Sequence, residues 1–128
     1  MTVPVKRAIL ILLPDARLRD IYASRFERDG WEVDSAGNLV DAERRAVQLR
    51  PAVLLIHYSL IENIKATFKR LRSLPTLQKT RLVVAERNLP RAEVDELLQA
   101  GAHAVIMTAH LTPQALVKSM TQLIEAEL

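Results

Sequence analysis

The chain has 128 residues, 49% of them hydrophobic and 26% charged, with a net charge of +3 and no cysteine. Without cysteine there is no disulfide, thiol nucleophile or thiolate metal site, and no apolar run approaches the ~18 residues that cross a membrane. The start of the chain has neither a secretory apolar core nor a small-residue cleavage site, so a single cytoplasmic domain over 1–128 is expected.

Ala8 to Leu13 is a continuous apolar run stopped by Pro14 and reads as a strand buried on both faces. Asp15 is a good N-cap for the helix that follows, in which Leu18, Ile21, Tyr22 and Phe26 recur at helical spacing as an inward stripe. Gly30 suits the left-handed residue after that helix. Trp31 to Ser35 alternates, as a half-exposed edge strand does. Asn38 followed by Asp41 resembles a capping box for a helix burying Leu39, Ala42, Ala46 and Leu49. Val53 to Ile56 is a second continuous apolar strand, and His57 stands at its end.

A third helix carries Ile61, Ile64, Phe68 and Leu71 inward. Leu82 to Ala85 forms the fourth strand. Pro90 fits the first turn of a helix with Val94, Leu97 and Leu98 inward, ended by Gly101. Ala104 to Met107 is the fifth strand. Thr112-Pro113 starts a last helix burying Leu116, Met120, Leu123 and Ile124, with Val117, Thr121 and Leu128 beside that stripe. Five strands alternating with five helices predict an α/β three-layer, doubly wound (βα)5 sandwich with a flavodoxin-like parallel sheet in order 2-1-3-4-5. In such sheets ligands sit beyond the carboxyl ends of the strands, which is where His57 falls.

Several segments carry a family resemblance: Lys6-Arg7-Ala8-Ile9-Leu10-Ile11, Phe26-Glu27-Arg28-Asp29-Gly30-Trp31-Glu32-Val33, Ser35-Ala36-Gly37-Asn38, Leu49-Arg50-Pro51 and Gln99-Ala100-Gly101-Ala102. Together the chain resembles the receiver domains of bacterial two-component response regulators. The resemblance implies a phosphorylated aspartate at the end of the third strand and an acidic pair after the first that holds Mg²⁺. It also implies a Thr or Ser after the fourth strand, a Lys after the fifth, and a switch aromatic on the fifth. A carboxylate nucleophile and an anionic phosphoryl group need those cations.

This sequence departs at each position. His57 takes the phosphoacceptor place, and Leu13 and Pro14 replace the acidic pair; Asp15 matches only a third acid that often follows. The Thr/Ser place falls on Ala85 or Glu86, the Lys place on Thr108 or Ala109, and the aromatic place on Val105 or Ile106. The resemblance with these losses implies a degenerate pseudo-receiver: a non-enzymatic, phosphorylation-independent interaction or dimerisation module of a signalling system, with no cofactor.

Its interaction surface is expected on helix four, strand five and helix five, with Asp95 and Glu96 of one helix and Lys118 and Gln122 of the other facing outward, so that a two-fold pairing brings opposite charges of two copies together. One alternative is a rebuilt phosphoryl or metal site centred on His57 with Asp15 and Glu86; His103 and His110 are the remaining histidines. Another is a nucleic-acid-associated regulator using the acid-free basic face of Lys65, Lys69, Arg70, Arg72, Lys79 and Arg81. For that face, a solvated surface is the simpler reading. Gly30, Gly37 and Gly101 have turn and cap spacing, which gives no phosphate-binding loop.

Overall fold

The computed structural model describes residues 7–126. Its elements are β1 (Ala8–Leu12), α1 (Ala16–Arg28), β2 (Glu32–Ala36), α2 (Leu39–Leu49), β3 (Val53–His57), α3 (Ile64–Arg72), β4 (Arg81–Glu86), α4 (Arg91–Ala100), β5 (Ala104–Met107) and α5 (Pro113–Glu125). All four strand pairings are parallel, in order β2-β1-β3-β4-β5. Short 3-10 turns at Tyr58–Leu60 and Pro75–Leu77 lead into α3 and β4.

The continuous apolar runs of β1 and β3 are explained by two cores, one on each face of the sheet. Leu10, Leu12, Leu54 and Ile56 pack with Ala42, Ala46, Phe68, Leu71 and Leu97 of α2, α3 and α4. Ile9, Ile11, Val53 and Leu55 pack with Tyr22 and Phe26 of α1 and with Leu116, Met120 and Ile124 of α5. Successive side chains of a strand point to opposite faces, so a strand covered on both sides must be apolar throughout. On the α1 side Phe26 meets Trp31 edge to face, with ring centroids 5.2 Å apart and planes at 82°, the arrangement that aromatic quadrupoles favour.

The helix starts follow their caps. Asp15 Oδ1 accepts from the Arg17 and Leu18 amides, Asn38 Oδ1 from the Asp41 amide and Thr112 Oγ1 from the Ala115 amide. Asn63, which the sequence reading passed over, caps α3 by accepting from the Ala66 amide. The helix therefore begins at Ile64, and Ile61 is buried from the preceding turn instead of from a helix face.

Three apolar positions differ from expectation. Ile21 and Leu98 are 45% and 43% exposed, whereas Val117 is only 1% exposed. Helix period identifies a stripe but not the width of what covers it. On α4, Leu97 alone is fully enclosed, because this helix covers the edge of the sheet beside β5. On α5 the packing against α1 as well as the sheet draws in Val117. Leu128 lies outside the described residues.

The loop between α3 and β4 is built around one cation. Arg72 Nη1 donates to the carbonyls of Leu77 (2.6 Å), Gln78 (3.3 Å) and Thr80 (2.6 Å). Burial draws its guanidinium below the ordinary value. Thr80 Oγ1 then donates to the Pro51 carbonyl at 2.7 Å and ties this loop to the α2–β3 corner.

Burial also holds the Tyr22 phenol above its ordinary value. The folded state thus favours the neutral ring. Its contribution to stability is intact below the unfolded value of about pH 10 and is lost as pH rises through the raised folded value. Tyr22→Phe should flatten the alkaline fall in the urea midpoint between about pH 9 and about pH 11. An identical fall in the variant would contradict this.

Candidate functional site

The carboxyl ends of the strands bring together most of the positions singled out in the sequence. Register sets Leu12 beside Ile56, His57 beside Ala85, and Glu86 beside Met107. Leu13 follows β1, its amide donating to the Ala36 carbonyl at 3.1 Å and its side chain 1% exposed in the core beneath α1 and α5. Pro14 and Asp15 are exposed, and the Asp15 carboxylate is taken up in capping α1. Ala85 is buried in the same core as Leu13.

Arg19, unnoticed in the sequence, braces this corner. Its Nη1 donates to the carbonyls of Leu13 (2.6 Å) and Pro14 (3.2 Å). The same nitrogen lies 2.9 Å from where a Cβ would stand on Gly37, so the glycine leaves room for the guanidinium between two loops.

His57 is half-buried and held from both ring nitrogens. The Ser59 amide donates to Nδ1 at 3.2 Å, and Ser59 Oγ lies 2.8 Å from the same nitrogen. An Nδ1 that accepts from an amide leaves the proton of the neutral ring on Nε2. Nε2 lies 3.6 Å from Glu86 Oε1, which also accepts from the Arg87 amide at 2.7 Å. The Ser59 amide and hydroxyl thus both meet Nδ1, and the imidazole caps the turn that follows β3.

Thr108 and Ala109 come to this edge through their backbones. The Thr108 amide donates to the Glu86 carbonyl at 2.9 Å and the Ala109 amide to the Arg87 carbonyl at 3.2 Å. These bonds tie the turn after β5 to the end of β4. His57 and Glu86 face each other here, and among the described residues no second carboxylate joins them. Among the described residues no group of three or more His, Asp or Glu side chains is placed to hold a metal ion. The structure joins His57 to Glu86 and leaves Asp15 on its helix, so the metal alternative is not assembled. His103 and His110 are exposed on the loops before and after β5.

The charged groups expected on the interaction surface are placed as follows. Asp95 pairs with Arg91 of its own helix at 3.1 Å, and Glu96 is exposed. Lys118 and Gln122 line a cleft with Arg28, Asp29 and Gly30 at the end of α1. Turning Leu116, Val117, Met120 and Ile124 inward carries Lys118 to the α1 flank and away from the acids of α4. The apolar side chains exposed near that edge are Leu98 and Met107, the latter 44% exposed.

The basic face is likewise divided. Lys65 and Lys69 are exposed, Arg70 pairs with Glu43 at 2.5 Å, and Arg72 is an internal brace. It is therefore not a uniform solvated stripe.

No protein-family model matches the sequence, and no curated protein matches it. Solved structures do. A response regulator from Thermotoga maritima superposes with a TM-score of 0.81 at 15% identity, covering 94% of this chain and 99% of its own. The chain has the receiver fold. Chemotaxis response regulator CheY4 of Vibrio cholerae gives 0.80 at 16% identity, over 93% of this chain and 99% of its own. HP1043, an orphan response regulator of H. pylori, gives 0.78 at 15% identity, over 91% and 95%. At these identities the likeness establishes the receiver fold, with its sheet order, and nothing finer.

Proposed function

We propose that this receiver-fold domain acts without phosphorylation, as a non-enzymatic cytoplasmic signalling module that works by binding a protein. The observation that carries the reading is Leu13, buried in the core where the resemblance places an acidic metal ligand, with the Asp15 carboxylate turned to the helix it caps. Mg²⁺ demands near-octahedral oxygen ligation, usually through one or two carboxylates. Among the described residues, this edge offers the Glu86 carboxylate, facing an imidazole. The receiver domain of the Pseudomonas aeruginosa histidine kinase PA1611, with a TM-score of 0.75 at 15% identity over 94% of this chain and 99% of its own, is described with a magnesium ion coordinated in that cleft. Mg²⁺ titration followed by NMR should give no saturable shifts at Leu13, Asp15, His57 or Glu86. Saturable shifts clustered there would refute the reading.

The binding surface we assign is α4 and β5. Leu98 and Met107 are large exposed apolar groups there, while β5 is an edge strand no residue of which is fully buried. Such edges are suited to pairing with a second copy or a partner. Leu98→Glu or Met107→Glu should weaken association about tenfold or more, as for a central interface side chain. Lys118→Glu, on the α1 flank, should leave it unchanged. Sedimentation at increasing concentration reads both, and the opposite ranking would move the surface to α5.

A further inference from the structure

Between α3 and the carboxyl end of α4 the surface carries a cleft of about 220 Å³. Lys65, Lys69 and Arg72 line it, Phe68 and Leu82 lie beneath, and no carboxylate is among the lining residues. Lys65 and Lys69 stand one turn apart on α3, both exposed, and neither has an ion pair among the described residues. Arg72 is the half-buried member. Its Nη1 is spent on the carbonyls of Leu77, Gln78 and Thr80. All three are neutral groups, and no acid offsets the burial that draws its guanidinium down. A cation taken partly out of water without a counter-charge is costly. Its Nε and Nη2 make no bond with the described residues and are not enclosed. Those two nitrogens form the side of a guanidinium that holds two oxygens of one anion in parallel. The carbonyls of Leu97 and Leu98, near the end of α4, are taken by the Ala102 and Gly101 amides, which lessens the negative end of that helix beside the cleft.

We propose that this cleft binds the phosphate group of a small phosphate or phosphate monoester. A carboxylate would spend both oxygens on the Arg72 fork and leave the two ammonium groups unmatched. A phosphate has further oxygens for them, and its second negative charge answers a second cation. The volume is smaller than that of pockets enclosing drug-sized ligands, which suits a small ion. The lining aromatic, Phe68, is 3% exposed and offers no face on which a nucleic-acid base could stack. The assignment uses neither Leu98 nor Met107, so it stands or falls apart from the α4–β5 surface.

The test is titration of the full chain with inorganic phosphate and with O-phosphoserine, at fixed ionic strength and a pH where both are largely dianions, read by NMR. Saturable shifts are expected at the Arg72 Nε–H and at the amides of Lys65, Lys69 and Gly101. Lys69→Glu should lower the affinity about tenfold or more, and Lys69→Gln by less, as for a charge-assisted contact. The Lys69 side chain is exposed, so neither variant threatens folding. Acetate should bind about tenfold more weakly than phosphate, since it lacks the oxygens that meet the lysines. Tighter binding of O-phosphoserine would support the site and name a phosphate ester as the source; equal or weaker binding would support it and name the free ion. Shifts that never saturate, an affinity unchanged in Lys69→Glu, or acetate binding as tightly as phosphate would overturn the proposal. So would a single-stranded oligonucleotide that binds more tightly than phosphate and is weakened as much by Lys79→Glu as by Lys69→Glu.

Discussion

His57→Asp, which restores a carboxylate at the phosphoacceptor place, should leave the protein unlabelled by acetyl phosphate or phosphoramidate in the presence of Mg²⁺. The new carboxylate would enter a cleft with Leu13 in the core and Asp15 bonded to the Arg17 and Leu18 amides. Glu86 Oε1, now 3.6 Å from the imidazole, would face it as a like charge. A carboxylate attacking an anionic donor needs a cation to offset repulsion. Thr108 and Ala109 carry no amine, and their amides are already paired with β4 and the residue after it. Burial beside a second carboxylate raises the pKa of the introduced group. Loss of the Ser59 cap and the Glu86 contact should lower stability by about 1–3 kcal/mol. Intact-mass spectrometry decides the first part: efficient addition of one phosphoryl group, mapped to position 57, would overturn the phosphorylation-independent reading. Charged groups substituted for Leu13, Pro14 and Thr108 together should be needed before labelling returns.

Arg72→Leu should be the most destabilising change outside the two cores, by roughly 2–4 kcal/mol, since it removes one donor group from three carbonyls at once. Two of those carbonyls, of Leu77 and Thr80, take bonds of 2.6 Å in part-buried positions. Their loss frees the loop that Thr80 anchors to Pro51. The urea midpoint should drop with the slope little changed. Arg72→Lys should recover part of the loss, since an ammonium has donors but no planar fork to span the loop. Thr80→Val combined with Arg72→Leu should cost less than the two separately, because both tie down the same segment. A midpoint within error of the parent would show that the carbonyls find water instead.

The sheet order and every strand were legible because a strand buried on both faces must be apolar throughout, and the runs at Ala8, Val53 and Leu82 can satisfy little else. Caps with a local signal, Asp15, Asn38 and Thr112, were legible for the same reason: donor and acceptor lie within three residues. Ile21 and Leu98 were not, because helical period shows which side chains share a face but not whether a neighbour covers it. At the site, His57 could be placed from its strand end alone, whereas its contact with Glu86 depends on the β3–β4 register. Arg19 and Arg72 were illegible as braces. Each reaches carbonyls of a loop whose path is set by the tertiary fold, and in sequence each is merely another surface cation. Lys118 faces outward as helical period implies, but its place on the α1 flank was not legible, because the rotation of α5 follows from the burial of Val117 against α1.

The bonds from the Thr108 and Ala109 amides to the carbonyls of Glu86 and Arg87 have a dynamic consequence. A domain that reports an input by changing shape needs two conformations of nearly equal free energy, so that a modest bias can exchange their populations. Stitching the β5–α5 connection to the end of β4 removes the freedom of the segment that would travel. Arg19, by gripping the β1–α1 turn, does the same on the far side of the cleft. These bonds would have to break before the carboxyl edge could take a second arrangement. On the function proposed above, the signal would then be the presence or absence of the assembled complex, and amide exchange at Thr108 and Ala109 should be as slow as within the strands themselves.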